Sequence, residues 1–152
     1  MPGKLDVAAG GYLQKGEPAT PEARKTGTMR ELEEELGLKV EESRLKFLTR
    51  RLNVSLSSKG NERKSCCDIF YLDIEDDKVQ IDPVELEAYY WIPFDILTAL
   101  QIGEQETAKV DRVDVEGDVQ NVEVSMESFC SNFDDYLFVT PALIKGRLAS
   151  EV

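Results

Sequence analysis

Glu31, Glu34 and Glu35 stand at i, i+3 and i+4 within the run Arg30-Glu31-Leu32-Glu33-Glu34-Glu35-Leu36-Gly37-Leu38. At 3.6 residues per turn, that spacing lines three carboxylates along one stripe of a helix. Like charges so close repel one another and weaken a bare helix. A hard divalent cation reverses the sign of that interaction, because Mg²⁺ takes oxygen ligands and carboxylates above all. The chemistry such a site offers is that of a bound divalent cation, which neutralises nearby oxygen anions and makes water more acidic. The ordinary alternative for a glutamate run is a solvated acidic face.

The stripe needs a helix with defined ends, and the flanking residues supply them. Thr20 is a good N-cap, Pro21 suits the first helical position, and Gly37 suits the stop, so the helix is expected over residues 21–36. Met29, Leu32 and Leu36 form its apolar stripe, set apart from the acids. Before it, residues 5–13 read as a short strand interrupted by Gly10-Gly11, and residues 14–19 as a turn. After it, strands are expected over 44–56 and 65–74, joined by a polar loop at 57–64, and over 84–92, stopped by Pro93. A short helix should span 94–100. An acidic hairpin within 103–130 should turn around Glu116-Gly117-Asp118, and Thr140-Pro141 should open a last helix through Leu148.

Composition narrows the function classes. The chain has 152 residues, enough for one domain with a core and too few for two ordinary ones. Its net charge of −12 repels a phosphate backbone and an anionic membrane, so neither nucleic acid nor membrane is an expected partner. No apolar run approaches a membrane span, and no signal-peptide core is expected at the N-terminus. Cys66, Cys67 and Cys130 are an odd set with two adjacent members, which is no disulfide framework and suits a reducing, cytoplasmic compartment. With no histidine, a zinc finger and a Ser-His-Asp triad are both ruled out as readings. Carboxylates remain as ligands, which points to Mg²⁺ or Mn²⁺.

Residues 30–38 fit without exception the second half of the pattern G-x5-E-x7-R-E-U-x-E-E-x-G-U, where U is a bulky aliphatic residue, and the segment resembles the box of the Nudix family. The resemblance implies an α+β fold of the α/β/α sandwich type with a mixed sheet, a single domain over 1–152, and a box at about 11–38. The first half of the pattern has two registers. Gly16, Glu22 and Arg30 satisfy the spacing literally, whereas Gly10-Gly11 followed by Gly16-Glu17 looks like the usual entry to the box. The second register leaves twelve residues between Glu17 and Arg30, five more than the family norm. It is the preferred one, because a glycine pair at a strand end lets backbone approach a metal or phosphate. Either Glu17 or Glu22 should then bond Arg30.

By this resemblance Glu31, Glu34 and Glu35 hold the metal, with Glu34 also contacting the nucleophilic water. Arg30 orients the acids, while Gly11 and Glu17 face the substrate. Glu85, Glu104 and Glu106 are alternative general bases. The implied activity is hydrolysis of the pyrophosphate linkage in a nucleoside diphosphate derivative or a nucleoside triphosphate, a small-molecule substrate. The alternatives are a nucleotide-binding module without turnover and an inactive fragment. The stretches LDVAAGGYLQKGE, IDPVELEAYYWIP and VTPALIKGRL look like the isopentenyl-diphosphate isomerase-like branch of the family. Isomerases of that type use histidine ligands and a cysteine before the box. This chain has neither, so hydrolysis is the expected chemistry. Family members also carry several strands ahead of the Gly-Gly entry, which are expected to be missing here; the sheet edge this would expose leaves a homodimer open. Stacking of Trp91 on a base, and phosphate contacts from Arg50, Arg51, Arg63 or Lys64, stand against plainer roles in packing and solvation.

Overall fold

A computed structural model describes residues 3–56, 62–74, 78–130 and 134–150. The first helix, α1, spans Pro21–Leu36, the bounds the sequence leads one to expect. The Thr20 side chain accepts a hydrogen bond from the Ala23 N–H at 3.2 Å, and Gly37 takes the left-handed conformation at φ 65° that ends the helix. Both ends are therefore fixed by local chemistry. Leu32 and Leu36 point inward and join Leu38, Val40 and Leu45 in a first core, against which Phe70, Leu72, Ile81 and Leu86 pack.

Strands β1 (Lys46–Leu56) and β2 (Glu62–Tyr71) pair antiparallel, with a register shift between Phe47 and Thr49. The loop expected at 57–64 lies outside the described residues for positions 57–61. Strand β3 is shorter than expected, Ala88–Trp91, because the preceding residues make a turn. The Asp82 carbonyl accepts from the Glu85 and Leu86 N–H groups, and its side chain accepts from the Val84 N–H at 2.8 Å. Pro83 within that turn has no N–H to give to a sheet ladder.

Helix α2 (Phe94–Gln101) follows Pro93 and packs toward a three-stranded antiparallel sheet in the order β3-β4-β5, where β4 is Thr107–Asp114 and β5 is Val119–Ser125. Leu100, Ala108, Val110 and Val124 form the second core, with Tyr90 and Ile96 against it. The β4–β5 turn falls where the acidic hairpin was expected. Asp114 Oδ1 accepts from the Glu116 and Asp118 N–H groups, and Gly117 supplies the positive φ of 86°.

The architecture is α+β, and among the described residues the parallel contribution is one isolated bridge, Leu5 to Phe129. Two expectations need correction. Residues 5–13 do not form a strand: the segment is held at Leu5, whose N–H donates to the Ser128 carbonyl and whose carbonyl accepts from the Cys130 N–H, and then runs on irregularly through Gly10-Gly11. The last helix, α3, spans Asp134–Ser150, so Pro141 lies inside it rather than at its first turn.

Candidate metal and phosphate site

The box acids leave the same helix but meet different partners. Arg30 sits between two of them: its Nη2 lies 2.5 Å from Glu31 Oε1, and its Nη1 donates to Glu34 Oε2 at 2.8 Å. Partial desolvation works against the guanidinium charge, yet Glu31 and Glu34 outweigh it and hold the arginine pKa above its ordinary value. The expected bond from Glu17 or Glu22 to Arg30 is not how the chain is arranged. Glu17 Oε2 instead accepts from the Gln14 N–H at 2.6 Å, closing its own turn, and Glu22 lines a cavity at the start of α1.

Gly11 lies directly against Glu31. A Cβ on Gly11 would overlap the Glu31 carboxyl group, so any other residue there would push that carboxylate out of its place. Gly16, the alternative box glycine, has φ 97° and open space around it. The two registers thus differ physically: Gly11 touches the acids and Gly16 shapes a turn.

Glu35 lies beside the Gly10 backbone and within reach of the Glu31 charge. Its carboxyl pKa is raised, first by burial, then by the charges of Glu31, Glu85 and Asp6, while a hydrogen bond from the Gly10 backbone N–H works in the opposite direction. Glu85 reaches this position because its turn is tied to the end of α1. The Gln80 N–H donates to the Leu36 carbonyl at 2.9 Å, and the Asp82 N–H to the Glu35 carbonyl at 3.0 Å. Of the three later acids considered as bases, Glu85 is thereby brought to Glu35, whereas Glu104 and Glu106 lie between α2 and β4.

Among the described residues, no three carboxylates converge closely enough to ligate one ion. Arg30 holds Glu31 and Glu34, and the Glu34 side chain is 57% exposed. The donor chemistry nevertheless suits a hard divalent cation. All the donors are carboxylate oxygens, glycine backbone lies against Glu31, and Glu35 feels the negative charge of Glu31, Glu85 and Asp6.

A second ionic cluster lies two turns nearer the start of the helix, joining residues that the spacing of the box does not single out. Asp68, whose side chain is 2% exposed, lies 2.5 Å from Arg24 Nε, and Arg50 grips it from β1 at 2.5 and 2.9 Å. Arg50 first, and then Arg24, hold the Asp68 carboxyl pKa below the usual range against the effect of burial. The sequence did carry a signal: one aspartate in the run Cys66-Cys67-Asp68-Ile69-Phe70 needs a partner if the strand packs. Arg50, considered there for phosphate contact, is thus occupied in an ion pair. Tyr89 and Trp91 meet edge to face at 5.8 Å on β3, with Tyr90 turned into the second core.

The family model for the NUDIX domain matches residues 2–113. No curated protein and no solved structure matches the chain significantly.

Proposed function

We propose, from the premise that this chain belongs to the NUDIX domain family, that it hydrolyses the pyrophosphate linkage of a nucleoside diphosphate derivative or nucleoside triphosphate with Mg²⁺ or Mn²⁺. The single observation that carries the reading is the packing of Gly11 against Glu31 at the entrance to a carboxylate stripe. When bound, the cation supplies positive charge for the phosphate oxygens and makes water more acidic.

Glu31, Glu34 and Glu35 are the residues that would hold it. The oxygen of water attacks phosphorus, the bridging P–O bond breaks, and the leaving phosphate keeps the electron pair. Glu34 accepts the proton lost by the water, with Glu85 the alternative base beside Glu35. Arg30 orients Glu31 and Glu34 through its two contacts with them. Gly11 gives the diphosphate room to approach the backbone, with Glu17 bracing the entrance turn.

The chain is read as one domain on the hydrolytic side of the isopentenyl-diphosphate isomerase-like branch. Exposed free Cys66 and Cys67 support a reducing cytoplasm. Among the described residues no helix is long and apolar enough to cross a membrane.

A second reading, a nucleotide binder without turnover, draws support from Arg30's occupation of two of the three acids. The test is release of phosphate or nucleoside monophosphate from a nucleotide panel with Mg²⁺ or Mn²⁺. Turnover lost in Glu34→Gln upholds the hydrolase. Tight nucleotide binding without turnover in the native chain overturns it in favour of the binder.

A further inference from the structure

Helix α3 packs against α2, with Pro141 buried and Ile144 half-buried on the covered side. On the opposite side Val139 is 50% exposed and Leu143 36%, and Ala142 and Gly146 are exposed beside them. Positions 139, 142, 143 and 146 recur at three- and four-residue spacing, so they form one stripe. A surface helix ordinarily turns charged and polar side chains to water on its outer side. Here the inner and outer sides are both apolar, which is the pattern of a helix covered from two directions.

The charges along the helix point to what covers the second side. The helix opens with Asp134 and Asp135, and Lys145 and Arg147 lie in its last turns. The two ends of α3 are equally far from Ala142. A second copy laid antiparallel and crossing there therefore sets positions 134–137 of each helix opposite positions 147–150 of the other. The acidic first turn of each copy then meets the basic last turn of its mate, whereas a parallel pair would set like charges together. Ala142 and Gly146 near the crossing allow a short distance between the helix axes. A two-fold axis repeats every contact, so one patch serves both copies.

We propose that the outer side of α3 is a self-association surface, covered by the α3 helix of a second copy of this chain. One helix pair stands at the low end of interface size, so the association is of the weak, concentration-dependent kind. It does not rest on the hydrolase reading, since no residue of the glutamate box takes part.

The test is sedimentation velocity of the full chain from low to high micromolar concentration, repeated on variants. A shift from monomer toward dimer as concentration rises is expected. Leu143→Glu should weaken the dimer at least about tenfold by placing a charge in the stripe. Arg147→Glu, which sets an acid opposite an acidic turn, should also weaken it. Leu52→Glu, at an exposed position of the β1–β2 ribbon, should leave it unchanged. Far-UV circular dichroism of each variant establishes that it is folded. Should Leu143→Glu fail to fold, Ala142→Arg takes its place, because arginine suits an exposed helical position and its bulk holds two helices apart. A native chain that stays monomeric throughout would overturn the proposal, as would a folded stripe variant or Arg147→Glu that dimerises like the native chain. A dimer lost in Leu52→Glu would overturn it too, since the interface would then lie on the ribbon.

Discussion

Replacing Asp68 by asparagine tests how the box helix is fastened to the ribbon. The substitution keeps the shape of the side chain and removes its charge, leaving Arg24 and Arg50 facing a neutral amide. Arg24 is mostly covered and Asp68 almost wholly so, and their contact is 2.5 Å. A hydrogen bond between charged groups in such a place is worth about 1.5–3 kcal/mol. Arg50, the stronger influence on the Asp68 pKa, is nearly half exposed, so solvent screens its share of the stability. The expected loss is about 2 kcal/mol, which for a chain of this size lowers the melting temperature by about 4–8 °C.

The pH dependence has a definite sign. The Asp68 pKa is lowered in the folded chain, so its contribution is present above the ordinary carboxylate range and disappears as pH falls through the lowered value. Melting curves of both proteins from neutral to acid pH should show a gap that is steady near neutrality and closes in acid. A variant that melts within about 1 °C of the native chain at neutral pH, or a gap that persists in acid, would refute the reasoning.

Other outcomes follow from the same contacts. Gly11→Ala places a methyl group where the Glu31 carboxyl stands, so Mn²⁺ affinity should fall at least about tenfold by calorimetry while the circular dichroism spectrum stays native. Glu35 carries a raised pKa, so its folded-state contribution is favourable at low pH and is lost as pH rises through the raised value. Glu35→Gln should therefore melt higher than the native chain at neutral pH without metal, and lower than it with saturating Mn²⁺. Thr20→Ala removes the cap of α1 and should cost about 1 kcal/mol, read as a drop of about 2–4 °C in melting temperature.

What could be read from the sequence divides by the range of the interactions. Helix α1 was legible to the residue because Thr20, Pro21 and Gly37 act on their immediate neighbours. The β4–β5 turn was legible for the same reason, through Asp114 and Gly117. The shortening of β3 could have been read from Asp82-Pro83, whose turn chemistry competes with strand pairing. Pro141 misled because proline suits a first helical turn, while here the helix already begins at Asp134.

At the site, the stripe of acids was visible but its partners were not. The spacing of Glu31, Glu34 and Glu35 says nothing of Arg30 folding back on two of them, a matter of rotamers. The approach of Glu85 depends on two backbone bonds from residues 80 and 82 to the end of α1, and no local pattern announces them. The Asp68 cluster joins residues 44 positions apart. Its acid was conspicuous in the strand, but nothing local distinguishes Arg24 and Arg50 as its partners from other surface cations.

The most direct measurement of the metal site is a Mn²⁺ titration followed by electron paramagnetic resonance, comparing the native chain with Glu31→Gln and Glu35→Gln. Loss of the free Mn²⁺ signal to a saturable site in the native chain, weakened by at least about tenfold in both variants, is the predicted result. A native chain that leaves the Mn²⁺ signal free, or variants that bind as tightly as it does, would contradict the assignment of a metal to these glutamates.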